Sequence, residues 1–163
     1  MQKLKDAFFL VIGIAVVVWS FYMFLQKPAP AHYQRVTDDQ QQTTHNGTLK
    51  VGDRSIFVEI ADTDAKRTQG LSLRQSLAPN TGLFFIFENP GNYGFWMKDM
   101  RFPIDIIFLD ADLSVINVYR GVDPSTFPTL FYPLAPAKYV LEINSGEASS
   151  IGIDTGVNVS LDR

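Results

Sequence analysis

The chain has 163 residues, 46% of them hydrophobic, and a formal net charge of -3 at pH 7, which suits one domain with its own core plus a further segment. There is no cysteine, and both histidines, His32 and His45, precede the part with a domain-like composition, which excludes Cys- or His-based catalysis and a zinc site of imidazole and thiolate ligands in the domain. Three of the 14 basic and one of the 17 acidic residues precede position 32, so an acidic domain without a basic cluster remains, and nucleic acid is excluded as a partner.

Residues 8–25, FFLVIGIAVVVWSFYMFL, contain no charged side chain. A helix of this length, at about 1.5 Å per residue, spans roughly the hydrocarbon core of a bilayer. Lys3 and Lys5 favour a cytoplasmic N-terminus, so the run predicts a transmembrane anchor with residues 1–7 as its cytoplasmic tip. The alternative is the core of a signal peptide cleaved after Ala31, where an Ala-Pro-Ala sequence ends. The chain would then be secreted; otherwise the domain stays tethered outside the cytoplasmic membrane.

Residues 26–47 are polar and include two prolines and a run of glutamines. Such a composition cannot bury enough apolar surface to offset the entropy lost on ordering. The segment is predicted to be a flexible tether, and residues 48–163 are predicted to be the exported domain.

Short strand-like segments fill the predicted domain. The predicted strands are residues 56–61, 81–87, 93–98, 102–109, 114–122, 139–143 and 157–161, which alternate in hydrophobicity or form apolar runs. Residues 65–69 and 147–151 are predicted as two short helices, each followed by glycine. This content predicts a mainly β fold: a compact antiparallel barrel or jelly-roll-like sandwich.

Several segments match, in order, the pattern of a known family. They are GL at 70–71, GLFFIF at 82–87, FWMKDM at 95–100, PIDI at 103–106, AKYVLEINSG at 137–146 and Gly156. On these motifs, residues 50–161 resemble the domain of unknown function 192 family. The resemblance implies a small β-rich domain with a jelly-roll or barrel-like core, exported or membrane-tethered, and it implies no established activity.

Lys98 and Asp105 lie inside a stretch dominated by large apolar residues. If the predicted strands 93–98 and 102–109 formed a hairpin, Trp96, Lys98 and Asp105 would share one face of the sheet. A lone buried charge costs several kcal/mol, so we expect Lys98 to bond to Asp105, to Glu142 or to both.

Glu142 and Asn144 add two polar side chains to another apolar strand and have the same parity along it. If they converge with Trp96, Lys98 and Asp105, the five residues would form a ligand-binding face. Trp96 would then be a stacking wall, and the ionisable groups a polar floor. The sequence thus predicts a binding or accessory domain for an unknown small molecule, glycan or protein, without a cofactor.

Two alternatives remain open. In the first, the domain is an enzyme, for example one acting on glycans, with Asp105 and Glu142 as an acid–base pair and Lys98 as electrostatic support. In the second, the charged cluster only stabilises a structural interaction domain. No sequence motif indicates a reaction, so the enzyme is the less favoured interpretation.

Two further patterns have ordinary explanations. Asp110, Asp112 and Ser114 have the spacing that opens a calcium loop, but the later ligands are missing, and a turn with side-chain hydrogen bonds is the better interpretation. We therefore predict no metal site. Arg67 and Arg74 flank a Gly-Leu pair; they are either solvated charges or contacts for an anion at the rim of a pocket.

The anchor prediction has a direct test. If residues 8–25 span the membrane with the N-terminus inside, protease added to intact spheroplasts of a bacterial expression host should digest the domain. A cytosolic marker protein in the same sample should stay intact. Protection of the domain, or its recovery in the soluble cytosolic fraction, would contradict this location.

Overall fold

The computed structural model describes residues 46–162. The predicted anchor, the alternative cleavage site and most of the predicted tether lie outside the described residues. Within residues 46–162, no helix is long and apolar enough to cross a membrane.

Seven strands and two short α-helices account for about half of the described residues. In chain order the elements are β1 (Gly47–Val51), β2 (Arg54–Ala61), α1 (Asp64–Gln69), β3 (Thr81–Gly91), β4 (Ile104–Leu109), β5 (Val115–Val122), a 3-10 helix (Pro124–Thr126), β6 (Ala137–Asn144), α2 (Glu147–Ser150) and β7 (Ser160–Asp162). The prediction of a mainly β domain with two short helices is confirmed. The side chain of Thr63 caps α1 by accepting a hydrogen bond from the N–H of Lys66.

All seven strands form one sheet in the order β5-β4-β6-β3-β2-β1-β7. Strands β2 and β3 are parallel, because the chain between them crosses over through α1, and the other neighbours are antiparallel. The edge strands β5 and β7 are not paired with each other as a ladder. Just before them in the chain, Ser114 and Asn158 form a single bridge with adjoining backbone hydrogen bonds. The prediction of an antiparallel barrel or sandwich is therefore wrong in detail: the sheet is mixed and open.

Side-chain alternation gives the sheet two apolar faces, each with its own core. Ile107 and Leu141 belong to one core, and Ile106 and Val140 belong to the other. Because successive residues of a strand point to opposite faces, the face on which each polar residue of β4 and β6 lies follows directly from its parity.

The predicted strand at residues 93–98 is not a strand in the structure. Only Phe95 pairs, in an isolated bridge with Phe131, and the chain turns at Lys98 and Asp99, where Asp99 has a left-handed φ of 57°. Strand β4 pairs instead with β5 and β6, so both of its edges are occupied. The hairpin on which the Lys98–Asp105 pair depended does not exist.

Candidate functional site

Asp105 is fully buried on β4, but its charge is not paired with Lys98. Its Oδ1 accepts a hydrogen bond from the backbone N–H of Gly121 at 2.7 Å. Its Oδ2 accepts from the N–H groups of Gly146 and Ala148, both at 3.0 Å. Three backbone N–H groups therefore bind the Asp105 carboxylate in place of Lys98. The predicted bond between Lys98 and Asp105 is wrong.

Lys98 lies on the surface, where it contacts an aromatic ring. Its Nζ lies 5.8 Å from the centre of the Trp96 ring, within the range of a cation–π contact, and it forms no ion pair with a described carboxylate. Trp96 is 48% exposed and packs against Phe127, with the ring centres 5.6 Å apart. Lys98 and Trp96 are therefore in contact with each other at the surface, and neither contacts the buried carboxylate of Asp105.

Asn144 lies two residues from Glu142 on β6, but its side chain is engaged in hydrogen bonds of its own. Its side-chain amide donates hydrogen bonds to the carbonyls of Leu77 and Ala78 at 3.1 and 3.3 Å, and to Oε1 of Glu147 at 3.4 Å. These bonds hold the segment before β3 against the end of β6. The role of Asn144 in this structure is thus to fix a loop.

Asp105 and Glu142 lie on opposite faces of the sheet. In the pairing of β4 with β6, Ile106 is opposite Glu142 and Asp105 is opposite Ile143. Residues directly opposite each other share a face, so Asp105 shares its face with Ile143, and Glu142 faces the other way. The prediction that Asp105 and Glu142 act together as an acid–base pair is therefore wrong.

A cavity of about 450 Å³ opens on the face that carries Glu142. It is an open cleft bordered by α1 and the turn after it, by aromatic residues of β3, and by the loop of residues 93–100. Its lining residues are Asp64, Arg67, Thr68, Gln69, Gly70, Leu71, Ser72, Phe85, Phe87, Tyr93, Gly94, Phe95, Trp96, Lys98, Asp99, Met100 and Glu142. Of the five predicted site residues, the cavity brings together Trp96, Lys98 and Glu142.

Stacked rings make up much of the cavity wall. Phe87 and Tyr93 are stacked, with ring centres 3.6 Å apart, and Phe85 meets Phe95 edge to face at 4.9 Å. Such pairs add about 0.5–1.5 kcal/mol to the burial of the rings. They hold the loop of residues 93–100 against β3.

Glu142 is the buried ionisable group of the cavity. Its residue is 5% exposed, and its Oε2 is fully buried without a hydrogen-bond partner among residues 46–162. Its neighbours across the sheet, Leu83 and Ile106, are apolar. Burial raises the pKa of the Glu142 carboxyl to about 8, against the opposing charge of Arg74. The carboxyl is therefore mostly protonated at neutral pH.

Arg74 is hydrogen-bonded to Glu59 rather than to Glu142. Its guanidinium donates two hydrogen bonds to the carboxylate of Glu59, at 2.5 and 2.8 Å. These bonds raise the pKa of Arg74, and burial opposes the rise. Glu142 is therefore near the positive charge of Arg74, but its Oε2 has no hydrogen-bond donor among the described residues.

Arg67 is neither a free solvated charge nor an open anion contact. Its guanidinium donates hydrogen bonds to the carbonyl of Ile86 at 2.7 Å and to Oδ1 of Asp64 at 2.5 Å. It also lies 5.4 Å from the centre of the Phe87 ring. Arg67 thus joins α1 to β3 at the rim of the cavity.

The sequence interpretation missed Glu59, although the signal was present. Glu59 lies in the alternating strand segment IFVEIA, just as Glu142 lies in YVLEI. A carboxylate inside an apolar strand indicates a candidate site at Glu59 as well as at Glu142. The turn prediction at Asp110, in contrast, is confirmed: its Oδ1 accepts from the N–H groups of Asp112 and Ser114, both at 2.9 Å. No three His, Cys, Asp or Glu side chains within residues 46–162 are grouped as metal ligands.

The family that matches this chain is an uncharacterised one. Residues 47–161 match the model of the DUF192 family, described as uncharacterized ACR. A UPF0127 protein of Thermococcus sibiricus is 34% identical over 104 residues, covering 61% of this chain and 62% of that protein. A UPF0127 protein of Pyrococcus abyssi is 36% identical over 107 residues, covering 63% and 83%. The match to the Thermococcus protein thus spans less than two thirds of its length. A crystal structure of a protein of unknown function from Novosphingobium aromaticivorans superimposes with a TM-score of 0.65 at 32% identity, covering 70% of this chain and 82% of that one.

Two substitutions separate the role of Asp105 from that of Lys98. Asp105→Ala should lower the free energy of unfolding by about 3–5 kcal/mol, because it leaves three backbone donors, the buried N–H of Ala148 among them, without an acceptor. Lys98→Met should change it by less than about 0.5 kcal/mol, because Lys98 is exposed. Chemical denaturation measures both, with Asp112→Ala as the control at an exposed aspartate. A large loss of unfolding free energy in Lys98→Met would indicate that Lys98 is paired with a buried carboxylate, and it would refute the roles assigned to Lys98 and Asp105.

The raised pKa of Glu142 predicts how stability depends on pH. The folded-state pKa lies above the unfolded value of 4.5, so the stabilising contribution is complete below that value and is lost as the pH rises to about 8. The loss amounts to at most about 5 kcal/mol, since one pKa unit corresponds to about 1.4 kcal/mol. Glu142→Gln cannot ionise, so its free energy of unfolding should overtake that of the wild type as the pH rises. Parallel pH profiles of the two proteins would refute the assignment.

Proposed function

The chain belongs to the domain of unknown function 192 family, and from that premise we propose that it is a binding or accessory domain tethered to the outer side of the cytoplasmic membrane. The site is the cavity bordered by α1, the loop of residues 93–100 and the aromatic residues of β3. The observation that carries the proposal is Glu142, a buried residue that lines that cavity and whose Oε2 has no hydrogen-bond partner among the described residues.

The size and composition of the cavity support small-molecule binding. Its volume of about 450 Å³ falls within the range of roughly 300–1,000 Å³ that is common for ligand sites. Its lining combines aromatic side chains with polar and charged ones, as in sites where apolar contacts supply affinity and polar contacts fix the orientation. A small molecule, a sugar residue or the side chain of a protein partner would fit this description.

A purely structural role accounts poorly for Glu142. Leaving a buried polar oxygen without a partner costs about 1–3 kcal/mol, and a glutamate at this position adds nothing to the packing that an apolar residue would not. Asp105, in contrast, is fully accounted for by its three hydrogen bonds. A polar group retained at a cost is typical of a site that acts on something outside the fold.

The membrane tether in this proposal is supported by sequence alone. The support is the charge-free run of residues 8–25, with Lys3 and Lys5 before it. The polar segment that follows gives the domain reach from the bilayer surface on the order of 25 Å if it behaves as a coil. A binding domain held in this way would sample ligands or partner proteins near the membrane.

Filling the cavity provides the test of the binding site. Thermal unfolding of the full chain in detergent would be screened against small amines, sugars, carboxylic acids and short peptides, since a ligand of the folded state raises its stability. We expect at least one compound to stabilise the wild type and the control Ser76→Trp, which lies outside the cavity, but not Ser72→Trp, which places a large ring inside it. Equal effects on both variants would place the site elsewhere, and the absence of any stabilising compound would refute the proposal.

A further inference from the structure

We infer that the cavity binds a small organic cation, a ring-bearing molecule with a protonated primary amine that the carboxylate of Glu142 receives at the cavity floor. This inference rests on the proposed function and narrows it from a binding site to one class of ligand. Neither the family nor the similar proteins assign a ligand to this position.

The floor of the cavity offers an acceptor to which the protein supplies no donor. Glu142 is 95% buried, since its residue is 5% exposed, and it lines the cavity. Its Oε2 has no hydrogen-bond partner among residues 46–162. A carboxylate has only acceptor sites, and an ammonium group has only N–H donors. An ammonium group at the floor would supply a donor and a second positive charge beside that of Arg74.

The aromatic walls favour the same charge. A ring face is the negative side of the aromatic quadrupole, and it attracts ammonium and guanidinium groups. Two side-chain cations of the protein already lie over rings that line this cavity: Arg67 lies 5.4 Å from the centre of Phe87, and Lys98 lies 5.8 Å from the centre of Trp96. The ring faces at the cavity rim therefore already interact with cations.

The two arginines near Glu142 are each paired with another carboxylate. On the side of β2, Arg74 is neutralised by the two hydrogen bonds to Glu59. On the side of α1, Arg67 is neutralised by Asp64 at 2.5 Å.

The remaining faces around Glu142 leave that balance unchanged. In the loop of residues 93–100, Lys98 is followed directly by Asp99, and both line the cavity. The flanking residues on β3 and β4, Leu83 and Ile106, carry no charge. Once Glu142 ionises, its own charge is the one that the lining does not compensate.

Binding of an amine must be coupled to loss of a proton. In the empty cavity the carboxyl of Glu142 is mostly protonated at neutral pH, because burial raises its pKa to about 8. When R–NH₃⁺ enters, Glu142–COOH becomes Glu142–COO⁻ and its proton passes to the solvent. Affinity should therefore rise about tenfold per pH unit below pH 8 and level off above it. A neutral ligand releases no proton, and a carboxylate ligand favours retention or uptake of one.

The experiment uses three probes of nearly equal size that differ in charge: benzylamine, benzyl alcohol and benzoate. Each is titrated into the full chain in non-ionic detergent by calorimetry, in two buffers with different ionisation enthalpies, so that proton exchange is measured directly. At about pH 7 we expect benzylamine to bind at least about tenfold more tightly than the other two and to release about one proton per molecule bound.

A glutamine substitution tests the acceptor itself. Glu142→Gln keeps the shape of the side chain but cannot ionise, so it should weaken benzylamine binding by at least about tenfold and abolish the proton release. The matched control is Glu88→Gln, at an exposed glutamate of β3 outside the cavity, which should bind as the wild type does. If Glu142→Gln does not fold, the proton release of the wild type still decides the question.

The remaining outcomes separate this inference from the proposed function. If benzyl alcohol or benzoate binds as tightly as benzylamine, or if no proton is released, the cation inference is overturned while a binding cavity stands. If none of the three probes binds but another compound from the screen is blocked by Ser72→Trp, the inference is likewise overturned and the proposed function stands. If no compound depends on the cavity, both fail.

Discussion

The three hydrogen bonds to the carboxylate of Asp105 are the constraint on which one end of the sheet depends. A charge with no exposure to water is very costly unless donors surround it. Here the donors are backbone N–H groups of residues 16, 41 and 43 positions away, at the end of β5 and in the turn that begins α2. Two of them, Gly121 and Gly146, have left-handed φ angles of 60° and 85°, which glycine adopts without strain. The carboxylate thus joins β4, β5 and the start of α2 at one point, and an arrangement that separates them leaves the charge buried and alone.

The comparison of Asp105 with Glu142 shows how similar groups in neighbouring strands acquire different roles. Both are carboxylates on strands that pair with each other, and both are buried. Asp105 receives three donors from the fold, so its presence is explained by the structure it stabilises. Glu142 faces the other side and has a buried oxygen without a donor. Glu147 also has one such oxygen, but its other oxygen accepts hydrogen bonds from Asn80 and Asn144. Satisfaction by the fold, rather than burial or charge, therefore distinguishes a structural carboxylate from a candidate binding group.

Local patterns predicted the strands better than their partners. Alternation and apolar runs located β2 to β6 because periodic burial depends only on neighbouring residues. The same signal failed at residues 93–98, which have aromatic content typical of a strand, because pairing is a property of the whole sheet and both edges of β4 are taken by β5 and β6. The parallel direction of β2 and β3 and the register that sets Asp105 opposite Ile143 leave no trace in periodicity. For this reason three of the five predicted site residues came together, while Asp105 and Asn144 did not.

The incorrectly predicted strand is also what creates the cavity. Because β4 offers no free edge, the segment 93–100 lies across one face of the sheet. It is held there by the bridge of Phe95 to Phe131 and by a hydrogen bond from the N–H of Leu73 to the carbonyl of Asp99. Aromatic side chains that would have filled a strand now form the wall of a cavity over β6, and the residue beneath them is Glu142. A local sequence preference that the fold does not satisfy is where function is expected, and here it coincides with a carboxyl group that the fold leaves unbonded.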